Sequence, residues 1–125
     1  MKTLLIVDDE PKICQALSTF FAGRGFRAVT ASCGSDAMAQ LEHETPDYLL
    51  LDLGLPDMFG LDILTAAKKQ HPRVRIVVVT ALRESELIQR AYQLGAFDFI
   101  TKPYLLDENY LSQIFSPSIT HDDAL

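Results

Sequence analysis

The stretch Tyr48-Leu49-Leu50-Leu51-Asp52-Leu53-Gly54-Leu55-Pro56 sets the reading of this chain. Four apolar residues run into a single carboxylate, and a glycine and a proline follow closely. An unbroken apolar run closed by turn residues predicts a strand covered on both faces, the kind found inside a parallel sheet. Asp52 then emerges at the carboxyl edge of that sheet, where open α/β folds take their ligands. A lone Asp in that place is ordinary turn chemistry. The question is whether other polar groups reach the same edge.

Upstream, Leu4-Leu5-Ile6-Val7 is another short apolar run, and it ends in Asp8, Asp9 and Glu10. Pro11 suits the first position of a helix, with Asp9 or Glu10 at its positive end. Ile13, Leu17, Phe20 and Phe21 then recur at helical spacing, and Gly23 and Gly25 offer the stop. Arg27 to Ala31 is a weaker, alternating strand of the sort placed at a sheet edge. Gly34-Ser35-Asp36 opens a short helix carrying Ala37, Met38 and Leu41, and Thr45-Pro46-Asp47 breaks it.

Downstream, a loop through Asp57 and Gly60 leads to a helix with Leu61, Leu64 and Ala67 inward and Lys68 and Lys69 outward. Arg75 to Thr80 is the third strongly apolar run, and it closes on a hydroxyl. A helix is predicted from Glu84 to Leu94 with Gly95 as its cap. A fifth strand follows from Ala96 to Thr101, and then Lys102-Pro103. The last helix is predicted from Asp107 to Phe115, so that residues 1–116 form the domain and residues 117–125 a polar, mobile tail.

Strands alternating with helices over short connections predict a doubly wound (βα)5 domain with right-handed crossovers, flavodoxin-like in outline. The weak second strand belongs at an edge and the first and third inside, which the order 2-1-3-4-5 satisfies. That order puts the switch point between strands 1 and 3. Asp8 and Asp9, Asp52, Thr80 and Lys102 then leave four different strands at one rim.

The length of 125 residues fits one domain able to bury a core, and 48% hydrophobic with 22% charged residues is the composition of a soluble protein. A net charge of -6 argues against a nucleic-acid surface here, since phosphate binding needs a basic stripe and none is visible. Cys14 and Cys33 are too few for a disulfide framework, and no apolar run approaches the roughly 20 residues of a membrane span. Nothing at the start reads as a signal peptide. A soluble, cytoplasmic protein without membrane contact is the expectation.

Three carboxylates crowded together repel, and keeping them ionised calls for a cation. Oxygen ligands with room for water suit Mg2+, held by Asp8, Asp9 and Asp52 with the Gly54 carbonyl within chain reach. Lys102 adds an ammonium and Thr80 a hydroxyl donor. A carboxylate nucleophile beside a metal, an amine and a hydroxyl is the equipment of phosphoryl transfer. Without a phosphoryl group, Lys102 would pair with Asp52.

Val7-Asp8-Asp9-Glu10-Pro11, Leu51-Asp52 with Pro56 four residues on, Thr80-Ala81 and Thr101-Lys102-Pro103-Tyr104 together resemble the response-regulator receiver domains of bacterial two-component signalling, from Lys2 to about Phe115. The resemblance implies that Asp52 accepts a phosphoryl group from the phosphohistidine of a sensor histidine kinase or a phosphotransfer protein, with Mg2+ on Asp8, Asp9, Asp52 and the Gly54 carbonyl. It implies self-catalysed transfer and self-dephosphorylation rather than turnover of an outside substrate. It further implies that Thr80 and Phe99 move together and switch the helix 4–strand 5–helix 5 surface toward a downstream effector. Phe97 falls on the same side of the strand, and the choice of Phe99 rests on its lying three residues before Lys102. Small Ala81 leaves the phosphate site open. A homodimer is a further expectation, although the short last helix departs from the family pattern at that surface. Two rivals fare worse. An FMN-binding flavodoxin needs an amide-rich first loop, and Asp8-Asp9-Glu10-Pro11 repels anions. A haloacid-dehalogenase-like phosphatase wants a second acid two residues after its nucleophile, where Gly54 stands.

Overall fold

The computed structural model describes residues 1–102. Its elements run β1 (Thr3–Val7), α1 (Pro11–Ala22), β2 (Arg27–Ala31), α2 (Gly34–His43), β3 (Tyr48–Leu51), α3 (Gly60–Gln70), β4 (Arg75–Thr80), α4 (Ser85–Gln93) and β5 (Asp98–Thr101). The helix expected from Asp107 to Phe115, the domain end at residue 116 and the tail lie outside the described residues. All strand pairs are parallel, in the order β2-β1-β3-β4-β5. Every residue of β3 is buried, whereas β2 buries only Ala31. That is the difference between a central strand and an edge strand that the two apolarity patterns predict.

The two faces of the sheet carry separate cores, because alternate residues of each strand point opposite ways. Leu5, Leu49, Leu51, Ile76 and Val78 face α2, α3 and α4 and pack on Leu41, Ile63, Leu64 and Ala91. Leu4, Ile6, Leu50, Val77 and Val79 face α1 and pack on Cys14, Leu17 and Phe21. On that side Phe20, Phe21, Phe26 and Tyr48 meet edge to face, with successive ring centroids 5.0, 5.5 and 5.7 Å apart.

Local differences from the sequence reading have physical causes. Glu10 occupies the position before α1, yet its side chain caps nothing there, and Pro11 supplies the helix start. Strand β5 begins at Asp98 rather than Ala96, because Gly95 turns at φ +112° and the Ala96 amide is taken by the Ala91 carbonyl closing α4. Lys68 is half-buried rather than outward. Its ammonium folds back to donate to the carbonyls of Val74 (2.6 Å) and Pro72 (3.4 Å), and burial pushes it below the ordinary lysine value.

Candidate functional site

Parallel pairing delivers the strand ends to one rim. The Asp52 amide donates to the Val7 carbonyl at 2.9 Å, so the residues just past β1 and β3 stand side by side. The Lys102 amide donates to the Thr80 carbonyl at 2.8 Å, which sets the ends of β4 and β5 together in the same way. Asp8, Asp52 and Thr80 are the buried polar residues among those described. Each would cost stability there without partners.

The partners are built symmetrically. Asp8 accepts the Glu10 amide on Oδ1 (2.9 Å), and Asp52 accepts the Gly54 amide on Oδ1 (2.9 Å). The second oxygen of each, Oδ2, accepts from the Lys102 ammonium, at 2.9 Å in both cases. A third acid, Glu10, reaches the same ammonium at 3.3 Å. The expected Lys102–Asp52 pair is therefore present, and Lys102 bridges Asp52 to Asp8 as well.

Two or three carboxylates against one ammonium leave the cluster short of positive charge, and the proton affinities follow. Burial pushes the Asp8 carboxyl above its ordinary value; the Glu10 amide and Lys102 oppose this, and the Asp52 charge reinforces it. Burial also works against the Lys102 charge, but the hydrogen bonds it donates to Asp52 and Asp8 win and hold it well above the usual lysine range. Both groups favour added positive charge. A bound cation would answer the same shortage.

Asp8, Asp9 and Glu10 each offer a carboxylate oxygen within 4.8 Å of the others, and Asp9 and Glu10 are exposed. Asp52 is not one of that trio and joins the cluster through Lys102. The Thr80 hydroxyl accepts weakly from the Leu82 amide at 3.4 Å. Phe99 lies away from the rim, half-buried against the α2–α3–α4 core. Phe97 precedes β5, is 47% exposed, and carries the Arg75 guanidinium 4.3 Å above its ring. Space does not distinguish the site. A cleft of about 630 Å³ lined by Lys2, Asp47, His71 and Arg73 opens at the opposite edge of the sheet, whereas the gap beside Asp8 and Asp52 holds about 10 Å³.

Two residues, Glu10 and Asp57, take part here without having been expected from the sequence. By sequence Glu10 reads only as a helix start, although its position next to Asp9 is signal enough to put it in the cluster. Asp57 reads as loop in the sequence, yet its carboxylate accepts the amides of Gly34 (2.6 Å) and Ser35 (2.9 Å) at the start of α2. Nothing local in the sequence names a partner more than twenty residues upstream.

Comparison with known proteins gives the family and the fold. The profile of the response regulator receiver domain matches residues 4–114. The transcriptional regulatory protein KdpE of Mycobacterium tuberculosis is 38% identical over 108 residues, which are 86% of this chain and 47% of KdpE. The DNA-binding transcriptional regulator NtrC of Salmonella typhimurium is 38% identical over 103 residues, 82% of this chain and 22% of NtrC. The chain thus spans half or less of the length of these relatives. A CheY-like response regulator receiver domain protein from Methanospirillum hungatei superposes with a TM-score of 0.91 at 26% identity, over 99% of this chain and 98% of that one.

Proposed function

The chain belongs to the response regulator receiver family, and on that premise we propose that Asp52 is its phosphoryl acceptor in two-component signalling. The donor is the phosphohistidine of a sensor histidine kinase or of a phosphotransfer protein. An Asp52 oxygen attacks phosphorus, the P–N bond to the histidine breaks, and the electron pair leaves with the imidazole, giving an acyl phosphate on Asp52. Lys102 neutralises charge on the phosphoryl oxygens, and the Thr80 hydroxyl donates to one of them. The observation that carries this reading is the Lys102 ammonium set 2.9 Å from both Asp8 and Asp52. A cation already bonded to the acceptor is placed to follow the phosphoryl group onto it.

Mg2+ fits the residues present. The donors are all hard oxygens, three carboxylates converge within 4.8 Å, and the cluster is short of positive charge. Asp8 and Asp9, with Asp52 and the Gly54 carbonyl, would hold it, and Glu10 stands beside them. The ion would supply charge neutralisation at the transferring phosphoryl group.

The protein transfers the group to itself and loses it by self-catalysed hydrolysis, which small exposed Ala81 favours by leaving the site open to water. Output passes through Thr80 and Phe99 to the α4–β5 side of the molecule, and so to an effector. Because this chain spans half or less of these relatives' length, that effector is either joined to this segment or a separate protein. The domain touches neither nucleic acid nor membrane itself, acts in the cytoplasm, and can pair with a second copy through the same side. Among the described residues no helix is long and apolar enough to cross a membrane. Labelling by acetyl phosphate with Mg2+ tests the assignment. One phosphoryl group per chain is expected, and none in Asp52→Asn; full labelling of that variant would refute it.

A further inference from the structure

Helix α2 starts without a cap of its own. Cys33 holds the extended backbone of an N-cap residue, but its side chain bonds no helix amide; its sulfur lies 3.3 Å from the Ser35 hydroxyl instead. The free amides of Gly34 and Ser35 are met by Asp57, from the loop after β3. Two charge-assisted bonds at a helix N-terminus form a strong tie, and they hold the Asp57 carboxyl below its ordinary value. The seat is also shaped for this loop. A Cβ on Gly34 would stand 2.1 Å from Met58 Cγ, 2.4 Å from its sulfur and 2.9 Å from Asp57 Oδ1.

The other end of the loop is closed separately. Gly60 lies flush on Leu53, where a Cβ would come within 2.4 Å of the Leu53 Cα, and the Gly60 amide donates to the Leu53 carbonyl at 3.2 Å. Gly54 and Phe59 form an antiparallel bridge between these ends. The loop from Leu53 to Gly60 is thus clamped at its base by glycine packing and at its tip by Asp57. Within it, the Gly54 amide holds the Asp52 carboxylate.

We infer that Asp57 is a positioning residue of the phosphoacceptor site, holding Gly54 on Asp52 by tying the tip of the 53–60 loop to helix α2. The inference rests on the reading of Asp52 given above. Its substrate effect is indirect, because Asp57 bonds the α2 amides and not the acceptor. Two roles have to be told apart, capping α2 and fixing the loop, and Cys33 allows it. In Cys33→Asp/Asp57→Ala the helix has a local cap again while the loop stays untied.

The experiment compares wild type, Asp57→Ala and Cys33→Asp/Asp57→Ala by melting temperature, hydrogen exchange of the Gly54 amide without Mg2+, and the rate of acetyl phosphate labelling. Asp57→Ala is expected to melt earlier, to exchange Gly54 about five- to tenfold faster and to label several-fold more slowly, the scale of a lost cap. The double variant should regain the melting temperature but neither the protection nor the rate. Normal protection in Asp57→Ala, or recovery of protection and rate together with stability in the double variant, overturns the inference. If Asp57→Ala does not fold, the double variant alone decides against wild type. A wild type that takes no label would end the Asp52 reading instead, while the exchange data would still decide whether Asp57 fixes Gly54.

Discussion

Lys102 is the one base among three acids, and that inequality governs what single substitutions do. Its side chain is 12% exposed, against 5% for Asp8 and 8% for Asp52, so water screens little of the interaction. Lys102→Met leaves two buried carboxylates facing each other without compensation. A cost of about 3–5 kcal/mol is expected, the range for breaking a buried pair, and Mg2+ should restore part of it by binding the folded state alone. Asp52→Asn acts in the opposite sense. It removes the charge that helps push the Asp8 carboxyl upward and leaves Lys102 paired with Asp8 and Glu10. That variant is expected to be at least as stable as wild type without Mg2+ and to gain less from it. Urea unfolding of the three proteins, with and without Mg2+, checks both; a Lys102→Met as stable as wild type would mean that the ammonium offsets nothing.

At the scale of elements, the loop from Leu53 to Gly60 fixes how β3, α2 and α3 meet, and the two glycines that seat it, Gly34 of α2 and Gly60, fail differently. Gly34 is crowded by Met58, the end of a flexible side chain, whereas Gly60 is crowded by backbone at Leu53. Gly34→Ala is expected to cost about 1–3 kcal/mol as overpacking, and Met58→Ala in the same chain should recover most of it. Gly60→Ala should cost more, and no side-chain truncation should rescue it. A double-mutant cycle measures the first, and a coupling near zero would count against the contact. The cap has a pH signature. The Asp57 carboxyl titrates below its unfolded value of 3.8, so the unfolded chain binds more protons there and stability rises with pH. The stability from this group is present above 3.8 and lost as pH falls through the folded value. Wild type and Asp57→Asn should therefore differ by a constant amount above 3.8 and converge below it, in urea midpoints taken across the acid range. The elements themselves were legible because apolar period and turn residues are local. The Asp57 cap was not, since which helix end a loop carboxylate meets is decided by packing.

For the whole molecule, the alternation of strands and helices together with strand apolarity orders the sheet, and the order brings Asp8, Asp52, Thr80 and Lys102 to one rim. What the sequence left open was how a change at that rim travels, and the choice between Phe97 and Phe99 shows why. Alternation puts both on one side of a strand that starts at Ala96. The strand starts at Asp98 instead, and Phe97 is left half-exposed beneath Arg75. Phe99 pairs with Val78 on β4, two residues before Thr80, so Val78, Thr80 and Phe99 share one face of the sheet. Phe99 packs there against the core that α3 and α4 cover, and it is only half-buried. If Thr80 is drawn toward a phosphoryl group, the space it leaves lies on Phe99's side, and the α4–β5 surface takes up the change as a two-state element. With fluorophenylalanine incorporated and each signal assigned by substitution, addition of beryllofluoride and Mg2+ as a phosphoryl mimic should shift the Phe99 resonance and leave Phe97 nearly unmoved. Thr80→Ala should abolish that response while beryllofluoride still binds at Asp52. A shift confined to Phe97, or one at Phe99 that survives loss of the Thr80 hydroxyl, would separate the aromatic from the acceptor and require another route through the sheet.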